Sequence, residues 1–217
     1  NKAIGVIVLT GAGRAFGVGG DSSDKKSERA GKGILGVPVE ALHAAIRDVP
    51  KPVIAKVRGY AIGGGNVLVT LCDLTVAAET AVFGQVGPKV GSVDPGYGTA
   101  YLARIVGEKK AREIWYLCRR YTAAEAMAMG LVNKVVPPEE LESLVIAWAE
   151  ELLQRSPTAL RLLKYSFNSD TDHVYGVQNL AHSATAFYYA TDECREGTAA
   201  FLEKRQPDFA RFRRHPW

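Results

Sequence analysis

Two glycine clusters offer chemistry that needs no side chain. The first, "GAGRAFGVGGD", covers 11–21, and the second, "GYAIGGGNVL", covers 59–68. Each follows a strand-like apolar run. Glycine lets a main-chain amide approach a ligand with no Cβ in the way. Where such a stretch opens a helix, the unpaired N–H groups and the helix dipole favour negative charge. Two turns that each aim one N–H at one oxygen make an oxyanion hole. The plainer alternative is a tight turn packed against a neighbouring strand. The first cluster is not a dinucleotide fingerprint. Its spacing, Gly11-x-Gly13-x-x-x-Gly17, has one residue too many, and a polar loop follows where an amphipathic helix is required. No G-x-x-x-x-G-K-[ST] phosphate loop occurs.

These turns need elements to carry them. "IGVIVL" (4–9) is a buried-strand pattern bounded by glycine. Residues 21–36, "DSSDKKSERAGKGILG", form a polar loop expected to order on ligand binding. From Val39 the pattern is helical, with Leu42, Ala45, Ile46 and Val49 on one face, and the Lys51-Pro52 pair stops it. "VIAKV" is the next strand. A helix from about Gly65 to Leu71 and a third strand, "LTVAAE", follow. The second half reads as helices over 97–106, 109–118, 123–129, 138–155 and 157–168, with two more between 174 and 203. Thr122 is placed to N-cap with Glu125 as the capping-box partner, Gly130 ends that helix, and Ser156-Pro157 starts another. This is an α/β chain with a helical C-terminal part. Histidines at 43, 173, 182 and 215 are isolated and are given no catalytic role. Cys72 and Cys118 fall in apolar helices and read as core.

At 217 residues, with 47% hydrophobic and 23% charged residues, the chain has the composition of a globular protein with a full core. Three cysteines with no C-x-x-C pair argue against a disulfide framework or zinc and suit a reducing, cytoplasmic compartment. No apolar run has a membrane helix's length, so no membrane partner is expected. "NKAIGVIVLT" already reads as a strand, with no leader in it, and residues are expected to precede it. The net charge of +4 gathers at Lys204, Arg205, Arg211, Arg213 and Arg214. No nucleic-acid motif accompanies it, so a solvated tail or a phosphorylated ligand is favoured over nucleic acid.

"AFGVGGD", "PKPVIAKVRGYAIGGG", "CDLTVAAETAVFGQVGPKVGSVDPGYG" and "EGTAAFLEKRQPDF" together resemble the crotonase (enoyl-CoA hydratase/isomerase) superfamily. Within it they resemble the branch holding 1,4-dihydroxy-2-naphthoyl-CoA synthase, which serves menaquinone biosynthesis, and 2-ketocyclohexanecarboxyl-CoA hydrolase. The resemblance implies a ββα spiral core over 1–136, without an N-terminal segment that carries part of the CoA site. It also implies a helical trimerisation region and basic tail over 137–217, and a homo-oligomer, trimer or hexamer, acting on an acyl-CoA thioester. It places the two oxyanion amides at Val18 and Gly64. The two glutamates of the hydratases fall on Val67 and Gly87, so simple water addition is disfavoured. Glycine at 87 matches members that bind hydrogencarbonate there, with Gln85, Trp115 and Thr185 lining the anion pocket; the plainer alternative is a turn glycine before Pro88. Ser92, Asp94 and Tyr189 correspond to residues handling protons. Gly19, Gly20, Asp21, Tyr60, Ile62 and Val86 correspond to substrate-binding positions, and Phe201 and Lys204 to CoA contacts, often across a subunit boundary. No metal is implied.

The resemblance divides over direction. "SPTALRLLKYSFNSDTD", "AHSAT" and "KRQPDFARF" lean to ring closure by the synthase. Val86, Asn66, Pro95 and "LHAAIRDVPKP" lean to ring opening by the hydrolase, and 21–36 lacks the tyrosine expected of the synthase. Two other classes stay open: a catalytically idle CoA-binding scaffold of the same fold, and a dinucleotide oxidoreductase resting on the Gly11 near-miss alone.

Overall fold

The structure is a computed structural model and describes residues 1, 3–20, 39–94, 96–176 and 178–213. The loop 21–36 with Asp21, and also Pro95, Arg214, His215 and Trp217, lie outside them. Among the described residues, eight strands form two four-stranded sheets. One holds β1 (Ile7–Thr10), β3 (Val53–Val57), β5 (Leu74–Ala78) and β8 (Lys134–Val136), in that order and all parallel. The other holds β2 (Ala15–Gly17), β4 (Tyr60–Ile62), β6 (Val82–Gly84) and β7 (Arg120–Thr122), of which only β6–β7 is antiparallel. From β1 to β6 the chain visits the sheets alternately. β3 and β4 lead into helix α2 (Gly64–Leu71), and β5 and β6 lead into the short α3 (Gly87–Val90). These are the ββα units expected from the sequence. The strands of the second sheet that precede glycine turns are only three residues long, too short to show a period of their own.

Helix α1 (Val39–Asp48) precedes β3. Its buried residues are His43, Ile46 and Arg47, while Leu42 is 41% exposed, so the expected apolar face is split: Ile46 and Val49 pack on the core, and Leu42 and Ala45 are turned outward. Polar anchors set that rotation. The Arg47 guanidinium donates to Asn168 O and to Asp172 and stacks over Tyr101, and His43 packs edge-on against Tyr97.

After α3 a π-helical turn (Tyr97–Tyr101) runs into α4 (Leu102–Val106), followed by α5 (Glu108–Leu117) and α6 (Ala123–Ala128). Thr122 caps α6 with the full reciprocal box to Glu125, and Gly130 follows with φ +86°. α7 (Leu141–Leu153) lays Leu141 and Val145 on Ile54 and Val76 of the first sheet. α8 (Pro157–Ser169) starts at the Ser156 cap. Helical residues follow over α9 (Asp172–Gly176), α10 (Gln178–Tyr189) and α11 (Asp192–Leu202), in the region expected to be helical. Thr191 caps α11 and separates it from α10. Cys72 and Cys118 sit at helix C-caps, partly buried; burial pushes the Cys72 thiol up to about 12.

Part of the tail's positive charge is neutralised internally. Glu196 is 8% exposed and accepts from Arg205 at 2.5 and 3.1 Å and from the Asp208 N–H at 2.7 Å; Arg211 lies 3.4 Å away.

Candidate active site

The two glycine turns meet. Gly17 ends β2, and Gly63 enters α2 with φ +58°, a conformation glycine alone adopts freely. A Cβ on Gly65 would lie 2.0 Å from Gly17 O, and one on Gly64 would lie 3.4 Å from Gly19 Cα. Only bare backbone lets the chain pass this closely. Gly19 holds φ +95°, which turns the chain after Val18. Gly64 is the first residue of α2, so its N–H has no acceptor within the helix. Val86 faces the same turn, its Cγ2 4.0 Å from the Cβ position of Gly63. Gly20 has open space around it. Ile62 is buried, and Tyr60 is 44% exposed beneath Arg120.

The segment after α3 is held residue by residue from the C-terminal helices. Gly91 O accepts from Cys194 Sγ at 3.0 Å, Ser92 Oγ lies 2.9 Å from Tyr189 OH, and Val93 O accepts from Thr185 Oγ1 at 3.3 Å. Further on, the Tyr97 N–H donates to Gln178 Oε1 at 3.2 Å. Ascending residues of the segment thus meet descending residues of α11 and α10. Asp94 Oδ1 accepts the Gly96 N–H at 2.9 Å. Burial pushes the Asp94 carboxyl up, against the backbone N–H groups of Gly96 and Gly98, which pull it down. Its Oδ2 and Trp115 Cζ2 both lie 2.9 Å from where Gly98 would carry a Cβ. Ser92, Asp94 and Tyr189, separated by up to 97 positions, are therefore on one short segment and its direct contact.

The residues expected around an anion at Gly87 divide. Gln85 is 1% exposed, and neither of its amide atoms has a partner among the described residues. Such a buried orphan donor fits a small anion. Trp115 instead donates its Nε1–H to Gly98 O, and Thr185 gives its hydroxyl to Val93 O and Ala181 O. Nor is the space beside Gly87 vacant: a Cβ there would lie 2.5 Å from Ser92 O and 2.9 Å from Trp115 Cζ3. Asn66, on the first turn of α2, is fully buried with both amide atoms unpartnered among the described residues. Phe201 and Lys204 are exposed at and just beyond the end of α11.

Sequence reasoning passed over Gln178 and His182. Both are buried, and they bond each other across one turn of α10 at 3.0 Å. Their i, i+4 spacing on a helix was a usable signal. Among the described residues no group of three or more His, Cys, Asp or Glu could hold a metal, and no helix is long and apolar enough to cross a membrane.

A coil of ββα units with a glycine-opened helix facing a second glycine turn defines an α/β protein of the crotonase fold. The chain matches the model of the family described as enoyl-CoA hydratase/isomerase over residues 1–212, and it belongs to that family. It is similar to an enoyl-CoA hydratase/isomerase from Pseudoalteromonas atlantica T6c, with 28% identity, a TM-score of 0.87, and coverage of 96% of this chain and 83% of that one. An enoyl-CoA hydratase from Mycobacterium avium subsp. paratuberculosis K-10 shows 31% identity, a TM-score of 0.78, and coverage of 95% and 80%. A methylmalonyl-CoA decarboxylase in complex with 2-nitronate-propionyl-CoA shows 25% identity, a TM-score of 0.78, and coverage of 96% and 82%.

Proposed function

We propose that this chain is an acyl-CoA enzyme that forms a thioester enolate and uses it in carbon–carbon bond chemistry, closing a ring in the manner of 1,4-dihydroxy-2-naphthoyl-CoA synthase. The observation that carries this is the contact of Ser92 with Tyr189 next to a partly buried Asp94, in a chain whose family-glutamate positions are Val67 and Gly87. The thioester carbonyl oxygen accepts from the Val18 and Gly64 amides. As the α-proton leaves, charge moves onto that oxygen, and each donor lowers the barrier by about 3–4 kcal/mol. Asp94, kept in a dry setting with a raised pKa, exchanges protons with the reacting carbons. Tyr189 and Ser92 share one hydrogen bond and pass or hold a proton at the second carbonyl. The similarity to a decarboxylase bound to a nitronate acyl-CoA supports an anionic thioester intermediate.

Hydrogencarbonate belongs to the same proposal. Gln85 Nε2, the orphan donor, would hold it rather than the filled space beside Gly87, and it would supply the carboxylate-like base that neither Val67 nor Gly87 provides. Phe201 and Lys204 would meet CoA, with the ammonium against phosphate. A homo-oligomer is proposed from the exposed apolar side chains of the C-terminal helices: Leu163 and Phe167 on α8, and Leu180 and Phe187 on α10, are 53–77% exposed.

The ring-opening hydrolase is the second reading, favoured by Val86 against the Gly63 turn and by the buried amide of Asn66. Purified protein is incubated with o-succinylbenzoyl-CoA and with 2-ketocyclohexanecarboxyl-CoA, each with and without hydrogencarbonate. Turnover of the first, dependent on hydrogencarbonate, is expected. Turnover of only the second reverses the direction assigned, and binding of CoA thioesters without turnover leaves a scaffold.

A further inference from the structure

Two histidines without a role are buried together, one of them, His182, neighbouring Asp94. His43, on α1, is 4% exposed and His182, on α10, is 5% exposed, with ring centroids 6.2 Å apart. One turn before His182, the Gln178 amide makes two bonds at once. Its Oε1 accepts the Tyr97 N–H at 3.2 Å, and its Nε2 lies 3.0 Å from His182 Nε2. The same amide fills the space beside Gly96, where a Cβ would lie 2.2 Å from Oε1.

These contacts select a tautomer. A backbone N–H only donates, so the amide atom facing Tyr97 is the oxygen. The atom facing His182 is then the NH2 group, which also only donates. His182 Nε2 must therefore accept, and the ring is neutral with its proton on Nδ1. That nitrogen lies 3.8 Å from Glu40 Oε1. An imidazolium would set an Nε2–H against the N–H of Gln178 and part the two side chains.

We propose that Gln178 and His182 are a positioning pair for Asp94. A neutral His182 keeps the Gln178 amide oriented, the amide holds the Gly96–Tyr97 backbone, and the Gly96 N–H anchors the Asp94 carboxylate. This rests on the reading of Asp94 as the proton-handling group. The groups facing His182 are Gln178 on its own helix, Glu40 and His43 on α1, and Asp94 on the segment they clamp. Burial draws the His43 pKa down to about 4, so His43 brings no charge to the cluster near neutral pH.

The first measurement is 15N NMR of histidine-labelled wild-type protein. His182 is expected as the neutral Nδ1–H tautomer, with Nε2 unprotonated; an Nε2–H tautomer at neutral pH overturns the proposal. The second is the pH profile of kcat/KM on whichever thioester is turned over. Gln178→Leu and His182→Leu are expected to lower kcat roughly ten- to a hundredfold, with KM little changed, through misplacement of Asp94. They are also expected to move the Asp94 limb to higher pH, because the carboxylate loses its Gly96 donor. His182→Gln keeps an acceptor opposite Gln178 and is expected to restore most of the rate. A His182→Gln variant as impaired as His182→Leu, or an unmoved limb in the leucine variants while Asp94→Asn is inactive, overturns this inference alone. An active Asp94→Asn overturns the reading of Asp94 and this inference with it.

Discussion

Gly65→Ala tests whether the two turns must touch. The added methyl would lie 2.0 Å from Gly17 O, 2.4 Å from Gly17 C and 2.8 Å from Gly17 Cα. All three are backbone, so no side chain can swing away. Ordinary contact begins near 3.4 Å, so the Gly17 carbonyl has to retreat by roughly 1.4 Å. Val18 follows Gly17 directly, and its amide moves with it. A misplacement of about 1 Å in a reacting constellation costs on the order of a hundredfold in rate. Full loss of one oxyanion donor costs about 10²–10³ in kcat. Overpacking costs a further ~1–3 kcal/mol of stability. The assay is kcat and KM on the thioester substrate beside a thermal melt. Gly13→Ala is the control, since among the described residues nothing lies within 4 Å of its Cβ position. Gly65→Ala is expected to lose roughly 10²–10³ in kcat with KM changed far less, and Gly13→Ala to match wild type. Wild-type kcat in a folded Gly65→Ala protein would refute the shared-oxyanion reasoning, because the contact between the turns would then be incidental.

Tyr189→Phe removes the partner 2.9 Å from Ser92 Oγ. Stability is expected to fall by about 1 kcal/mol and kcat by about 10²–10⁴, with Ser92→Ala adding little to it, in a single-turnover assay. Asp94 is a carboxyl whose pKa burial raises in the folded state. Its contribution to stability is therefore most favourable below its unfolded pKa and declines as pH rises through its folded one. Asp94→Asn is expected to abolish turnover while raising the melting temperature at neutral pH, which scanning calorimetry checks. For Glu196 the sign is opposite: Arg205, and then the Asp208 N–H, pull its carboxyl down to about 2. The stability it gives is present above the usual carboxylate range and fades as pH falls towards 2. Glu196→Gln is expected to speed hydrogen exchange over 203–213 at neutral pH and to remove its acid dependence. Phe187→Glu places a charge in the exposed apolar face of α10 and is expected to lower the mass of the assembly measured by light scattering, leaving the monomer's far-UV spectrum unchanged.

The parts legible in the sequence are those set by neighbours along the chain. β3, α2, β5 and the capped starts of α6, α8 and their neighbours follow from local apolar pattern, glycine, proline and threonine. Motif resemblance adds the pairing of the glycine turns. The outward turn of Leu42 was not legible, because Arg47 and His43 take their partners from residues up to 125 positions away. Nor were the engagement of Trp115 Nε1 with Gly98 O and the crowding at Gly87, both products of tertiary packing. His182 read as an isolated histidine since its meaning depends on the orientation of Gln178, and that orientation is dictated by the backbone of Tyr97.

The division of labour between core and C-terminal helices explains how the chain can keep the fold while lacking both glutamates. The proposed oxyanion amides are main-chain groups set by the two glycine turns, so they would survive any change of acid or base. Ser92 and Asp94, proposed to handle protons, lie instead on a segment that α10 and α11 grip at Gly91, Ser92, Val93 and Tyr97. Each grip is one hydrogen bond, worth roughly 0.5–1.5 kcal/mol, so the segment is positioned by several weak contacts acting together. A change in the C-terminal helices can therefore re-aim Asp94 without disturbing the enolate site. It follows that substitutions at Thr185 or Gln178 act chiefly on proton transfer and its pH dependence, and substitutions at Gly17 or Gly65 on enolate formation. Solvent exchange of the substrate α-proton, measured separately from product formation, distinguishes the two: exchange should persist in Thr185→Val and vanish in Gly65→Ala. Equal loss of both in both variants would mean that the two halves of the site do not act separately.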